Sequence, residues 1–179
     1  GVTGSEGRAD QMVLSAEALA RKYRTDEKHA DYVADLSLRL FRELQAEHQL
    51  PPRYFGLLHT AAILHDIGSF VGESGHHKHS QYLILNSEIF SLTRRDTVLV
   101  ALVARYHRRA LPLPSHPEFM ALDRESRIVV LKLAALLRIA DALDRSHTQK
   151  FRDLTFTREP PDFVIGVTEA DDLTIERAA

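Results

Sequence analysis

Four side chains that need water or a partner fall on helical stripes that are otherwise apolar: His29, the adjacent pair His65 and Asp66, and Asp141. Burying an imidazole or a carboxylate without a partner is costly, so such stripes normally exclude them. A bound metal ion removes that cost by serving both residue types at once. A His on one helix, a His-Asp pair on a second and a late Asp on a third therefore imply a helical core built around an ion.

The rest of the chain bounds that reading. Its 179 residues can bury one sizeable core with a small appendage. A formal net charge of −2 gives no global basic field, which argues against specific nucleic-acid binding and against an anionic membrane surface. The absence of cysteine excludes disulfides and thiolate zinc sites and fits a reducing compartment. The apolar run over residues 98–104 is far too short to span a bilayer, and a soluble, cytoplasmic chain is expected.

Along the sequence, residues 1–9 read as a flexible segment with no signal-peptide pattern, and residues 10–24 have weak helical character. From about residue 26 a stronger helix carries His29, Val33, Leu36, Leu40 and Leu44 on one face, with Thr25 or Asp26 as its cap. Pro51 and Pro52 open the next helix, where Leu58, Ala61, Ala62 and His65 share a face and Gly68 is a C-terminal stop. Residues 72–79 read as a polar, glycine-bearing loop, followed by helices from 79 or 80 to 90 and from about 93 to 108. Leu99, Val103, Tyr106 and His107 fall on a common side of the second of these.

A long helix over about 123–145 places Val130, Ala134, Leu137 and Asp141 in line. After Lys150 the period changes to that of strands, over 151–157 and 162–168 around a 159–162 turn, with a third over 172–177. The expected fold is mainly α: a helical domain over 10–149 with a small C-terminal β appendage over 150–179.

The residues leave alternatives at each position. Neighbours in a helix point about 100° apart, so His65 and Asp66 can share an ion only where a helix end widens their reach. Otherwise His65 is a helix-end imidazole beside a solvated Asp66. His29 alone reads more readily as a satisfied core histidine than as a ligand. Asp141 has Arg138 three residues earlier as an alternative partner, and Asp144 is an alternative inward-facing acid.

Four stretches carry a resemblance: Leu64-His65-Asp66-Ile67-Gly68, Gly75-His76-His77-Lys78-His79-Ser80, Ala104-Arg105-Tyr106-His107-Arg108, and the run from Leu137 to His147 containing Ile139-Ala140-Asp141-Ala142-Leu143-Asp144. Together they resemble the C-terminal domain of the exopolyphosphatase and guanosine pentaphosphate phosphohydrolase family, over nearly the whole chain from about residue 10. The resemblance implies a His-Asp (HD) phosphohydrolase-type helical fold. Its primary metal ligands map onto His29, His65, Asp66 and Asp141, with His65 and Asp66 at the catalytic centre. Members with two metals add two histidines between the pair and the last Asp; His79 and His107 match that order, with His76 or His77 as substitutes.

These nitrogen and oxygen donors suit Mn, Fe, Co, Ni or Zn, with Mg acceptable where carboxylates dominate. Such centres activate water for attack on phosphorus. Of the basic residues around the motifs, which also include Arg109 and Arg138, Lys78, Arg105, Arg108 and Arg145 are the candidates for holding phosphoryl oxygens. The resemblance thus implies a phosphate-rich partner: a nucleotide, a guanosine polyphosphate or polyphosphate. It equally allows a non-catalytic module that helps form a polyphosphate channel and a homodimer in a larger enzyme, because complete members carry two preceding actin-like domains whose glycine-rich phosphate loops have no counterpart here.

Overall fold

The computed structural model describes residues 4–108 and 110–168. In chain order the elements are α1 (Gly4–Lys22), α2 (Glu27–Glu43), α3 (Gln45–His48), α4 (Arg53–Leu64), a short 3₁₀ turn (Ile67–Phe70), α5 (His76–Leu85), α6 (Arg94–Arg105), α7 (Pro117–Met120) and α8 (Arg124–Leu143). An antiparallel hairpin follows, β1 (Thr155–Glu159) paired with β2 (Asp162–Gly166) from Thr155 opposite Gly166 to Glu159 opposite Asp162. The mainly helical architecture with a small β element is the one the sequence implies. The expected strand over 172–177 lies outside the described residues, as does Arg109.

Helix starts follow side-chain capping. Asp26, Thr93 and Asp123 each accept a hydrogen bond from a backbone N–H three residues on, opening α2, α6 and α8. The apolar stripes read from the sequence face the core: His29, Val33, Leu36 and Leu40 of α2, Leu58, Ala61 and Ala62 of α4, Leu99 and Val103 of α6, and Val130, Ala134 and Leu137 of α8 are all buried. Helix α4 is the central element, packed between α1, α2 and α6, while α8 lies against α2 and α6. This brings the start of α2, the end of α4 and the end of α8 to one place. The hairpin docks on α2, where the Arg39 guanidinium donates to Leu154 O at 2.8 Å and lies over the Phe156 ring.

Two expectations are corrected. Residues 4–9 are not a flexible segment but the first turns of α1. Met12, Ala16 and Ala20 repeat every four residues and are buried, which gives that helix a face to dock, while Glu6 complements the positive end of its dipole. Residues 76–79 are not loop: α5 begins at His76, because Gly75 takes a left-handed φ of 70° and turns the chain into the helix just ahead of it. Among the described residues no helix is long and apolar enough to cross a membrane.

Candidate metal centre

The ligand-type residues are presented at helix ends, where backbone geometry can aim them. His29 stands in the first turn of α2, its own N–H held by the Asp26 cap at 3.2 Å. His65 keeps helical angles (φ −61°, ψ −28°) just after α4, whereas Asp66 leaves them (φ −107°, ψ 6°). That change of angles lets two adjacent residues turn to a common point. A latch fixes this corner: Ser80 Oγ donates to His65 O at 2.8 Å and accepts from Gly68 N at 2.9 Å. Gly68 permits the close approach, since a Cβ there would lie 2.0 Å from His76 O and 2.4 Å from Ser80 N.

Two donor clusters share Asp66. In the first, His29 Nε2 and His65 Nε2 lie 3.1 and 3.3 Å from Asp141 Oδ1, and 3.4 and 3.3 Å from Asp66 Oδ2. In the second, His76 Nε2 and His107 Nε2 lie 3.2 and 3.6 Å from the other Asp66 oxygen, Oδ1. Within each cluster one ligand atom per residue falls within 4.8 Å of every other. The side chains of His29, His65, His107 and Asp141 are 0–2% exposed and that of Asp66 is 20% exposed, so the centre opens on the Asp66 side.

Proton placement tests whether these groups suit a cation. The Nδ1 atoms of His65 and His107 face the carbonyls of Ala62 and Ala104, and that of His29 faces Asp144 Oδ2 at 2.7 Å. Carbonyl oxygens only accept, so Nδ1 carries the proton and the Nε2 lone pair of each neutral ring points inward. Pairs of these nitrogens nevertheless approach to 3.3 Å, His29 with His65 and His76 with His107. Two lone pairs at that separation need a proton or a cation between them. Asp141 Oδ2 is a further buried oxygen with no hydrogen-bond donor. The donor set therefore fits divalent cations.

Without an ion, protons do the same work. Burial opposes charge on His29, but hydrogen bonds to Asp141, Asp66 and Asp144 outweigh it and raise its pKa to about 9. Burial likewise opposes charge on His65, and the charge of Asp66 with the hydrogen bond to Asp141 raises it to about 10. Burial pushes the Asp66 and Asp141 carboxyls up, yet the surrounding imidazoles hold both well below the usual carboxylate range. His107 goes the other way, lowered to about 3 by burial and the neighbouring charge of His65.

The structure thus brings together His29, His65, Asp66, Asp141 and His107, and it puts His76, not His79, beside Asp66. Residues 76, 80 and 84 form the buried stripe of α5, whereas Tyr82, three residues after His79, is 66% exposed. His79 also lies about 4.5 Å further along the helix axis than His76. Arg108, not Arg138, stands by Asp141, its Nε 3.6 Å from Oδ2. Arg105 turns instead to Gln81 and His116. Lys78 and Arg145 are exposed. Sequence reasoning left Asp144 only as an alternative and assigned no part to His147, whose ring stacks on His29 at 3.6 Å. The spacing His76-Ser80-Ile84 was the available signal for the α5 register.

Comparison with known proteins places the chain in a family. The model of the Ppx/GppA phosphatase family, domain III, matches residues 13–171. Guanosine-5'-triphosphate,3'-diphosphate pyrophosphatase of Aeromonas hydrophila is 28% identical over 151 residues, covering 83% of this chain and 30% of that protein. The enzyme of the same name from Photobacterium profundum is 30% identical over 135 residues, 74% of this chain and 26% of that protein. That from Vibrio vulnificus is 31% identical over 134 residues, 74% and 27% respectively. The chain spans less than a third of the length of these relatives. With the match covering residues 13–171, the chain belongs to the Ppx/GppA phosphatase family, as its domain III.

Proposed function

We propose that this chain is an HD-type, metal-dependent phosphohydrolase domain acting on phosphate-rich substrates such as nucleotides, guanosine polyphosphates or polyphosphate. The observation that carries the proposal is the shared carboxylate: each oxygen of Asp66 faces its own pair of imidazole nitrogens. His29, His65, Asp66 and Asp141 would hold one ion, and Asp66, His76 and His107 a second. Mn, Fe, Mg, Co, Ni and Zn are the candidates. Ions bound there supply Lewis-acid activation of water and neutralise charge on phosphoryl oxygens.

The chain's own groups divide the remaining work. Asp66, held far below the usual carboxylate range, is suited to be a ligand common to both clusters and is a weak proton acceptor. His65 is fixed by its Nδ1 hydrogen bond to Ala62 O and keeps Nε2 on the centre. Arg108, 27% exposed and adjacent to Asp141, is placed to bind a phosphoryl oxygen at the open side. Buried walls around His29, His65 and Asp141 keep bulk water from the inner cluster.

A second reading rests on the span of the match. A domain under a third of its relatives' length serves equally as a phosphate-binding, dimer-forming module of a larger enzyme. Metal analysis of chelator-treated and reloaded protein, followed by a phosphate-ester panel with Mn, separates the two. The expected result is metal uptake, lost in His65→Ala and Asp141→Ala variants that stay helical, with weak turnover of nucleotides and small esters and little processive polyphosphate cleavage. Metal-loaded protein inactive across the panel supports the accessory role, and unaltered metal content in both variants overturns the centre.

A further inference from the structure

The loop that follows α8 returns to the first ligand from behind. Asp144, one residue past the helix and 1% exposed, accepts from His29 Nδ1 at 2.7 Å through Oδ2. That carboxylate is itself fixed: Gln149 N donates to Oδ1 at 2.7 Å and Gln149 Nε2 to Oδ2 at 2.9 Å. From the same loop the His147 ring lies flat on the His29 ring, centroids 3.6 Å apart and planes 10° apart. Asp26, which caps α2, holds His147 Nδ1 at 3.0 Å. His147 and Gln149 take left-handed φ of 57° and 51°, conformations that non-glycine side chains keep only where surrounding contacts impose them.

We infer that the Asp144–Gln149 pair, with His147 stacked above, is a positioning clamp that holds His29 in the tautomer and orientation a metal ligand requires. The inference rests on the metal reading above and adds residues to it that touch neither ion nor substrate. An imidazole can ligate through Nε2 only when that nitrogen is free of its proton, and an acceptor on Nδ1 keeps the proton there. Gln149 gives the clamp a direction. Its backbone N–H demands an acceptor at Oδ1, so the oxygen of an asparagine at this position would stay there and its NH₂ would face His29. The amide would then donate to Nδ1 and move the ring proton to Nε2, closing the ligand.

The test uses zinc alone as the probe on the intact chain and three proteins: wild type, Asp144→Asn and Gln149→Ala. Titration calorimetry reads zinc affinity, circular dichroism reads helix content, and nitrogen-15 spectra of histidine-labelled, zinc-saturated protein read which His29 nitrogen carries the proton. Asp144→Asn is expected to weaken zinc binding roughly 10–100-fold at unchanged helicity and to abolish the protonated Nδ1 signal of His29. Gln149→Ala is expected to weaken it several-fold. Wild-type affinity with a protonated Nδ1 in Asp144→Asn overturns the clamp and leaves the metal reading standing. Should that variant not fold, unchanged affinity in Gln149→Ala overturns it. A wild-type chain that takes up no zinc overturns the metal reading and the clamp together.

Discussion

Asp66 Oδ1 lies 3.2 Å from His76 Nε2, while three residues further along α5 His79 takes no part in the cluster. The two histidines thus make a matched pair on one helix. His76→Ala is expected to remove one of two bound metal equivalents and to leave the inner cluster filled, because His29, His65, Asp66 and Asp141 remain. His79→Ala is expected to retain both. Metal counting on the two variants by elemental analysis decides it, and loss in His79→Ala alone would reverse the assignment.

The protonation of the centre gives stability a defined pH course. His29 and His65 are raised to about 9 and about 10 in the fold, so their contribution is complete below the ordinary imidazole value near 6.5 and is lost as pH rises through 9 and 10. His107, lowered to about 3, contributes above 6.5 and loses that contribution as pH falls toward 3. Chelator-treated protein should therefore melt highest near neutrality, with Tm falling toward pH 10. Zinc-loaded protein should hold its Tm across the alkaline limb, since the ion takes the place of the two protons. Parallel alkaline curves for the two forms would refute the exchange.

Gly68 is where the 3₁₀ turn and α5 come closest. Gly68→Ala puts a carbon 2.0 Å from the His76 carbonyl oxygen, and backbone must move to admit it. Overpacking of this kind typically costs about 1–3 kcal/mol. The shift would also carry His76 away from Asp66, so the outer ion should be lost before the inner one. Denaturant melts and metal content measured together check this, and a fully stable variant with both ions would show that the contact is soft.

Much of this arrangement is legible in the chain before it folds. The stripes through His29, Leu58, Leu99 and Asp141 follow the helical period, and Asp26, Thr93 and Asp123 mark helix starts by their own side-chain chemistry. The start of α5 is not legible in that way. Three histidines and a lysine after a glycine have the polarity of a loop, and it is the packing of α5 against α6 and the 3₁₀ turn that makes His76 a core residue. The hydrogen bond from His29 to Asp144 crosses 115 positions and leaves no local pattern. His65 and Asp66 stood a helical step apart in sequence, and their convergence depends on the break in backbone angles after α4.

His29 Nε2 and Asp141 Oδ1, 3.1 Å apart in space, are separated by 112 residues of chain. An ion bridging them would act as a reversible staple, closing α2 through α8 into one loop that the unfolded chain cannot hold. Its contribution would grow with the logarithm of free metal, reaching about 2.7 kcal/mol at a hundredfold excess over Kd. Resistance to unfolding and to proteolysis would then track the metal supply of the surroundings. The first and last long helices facing the centre would open together or not at all.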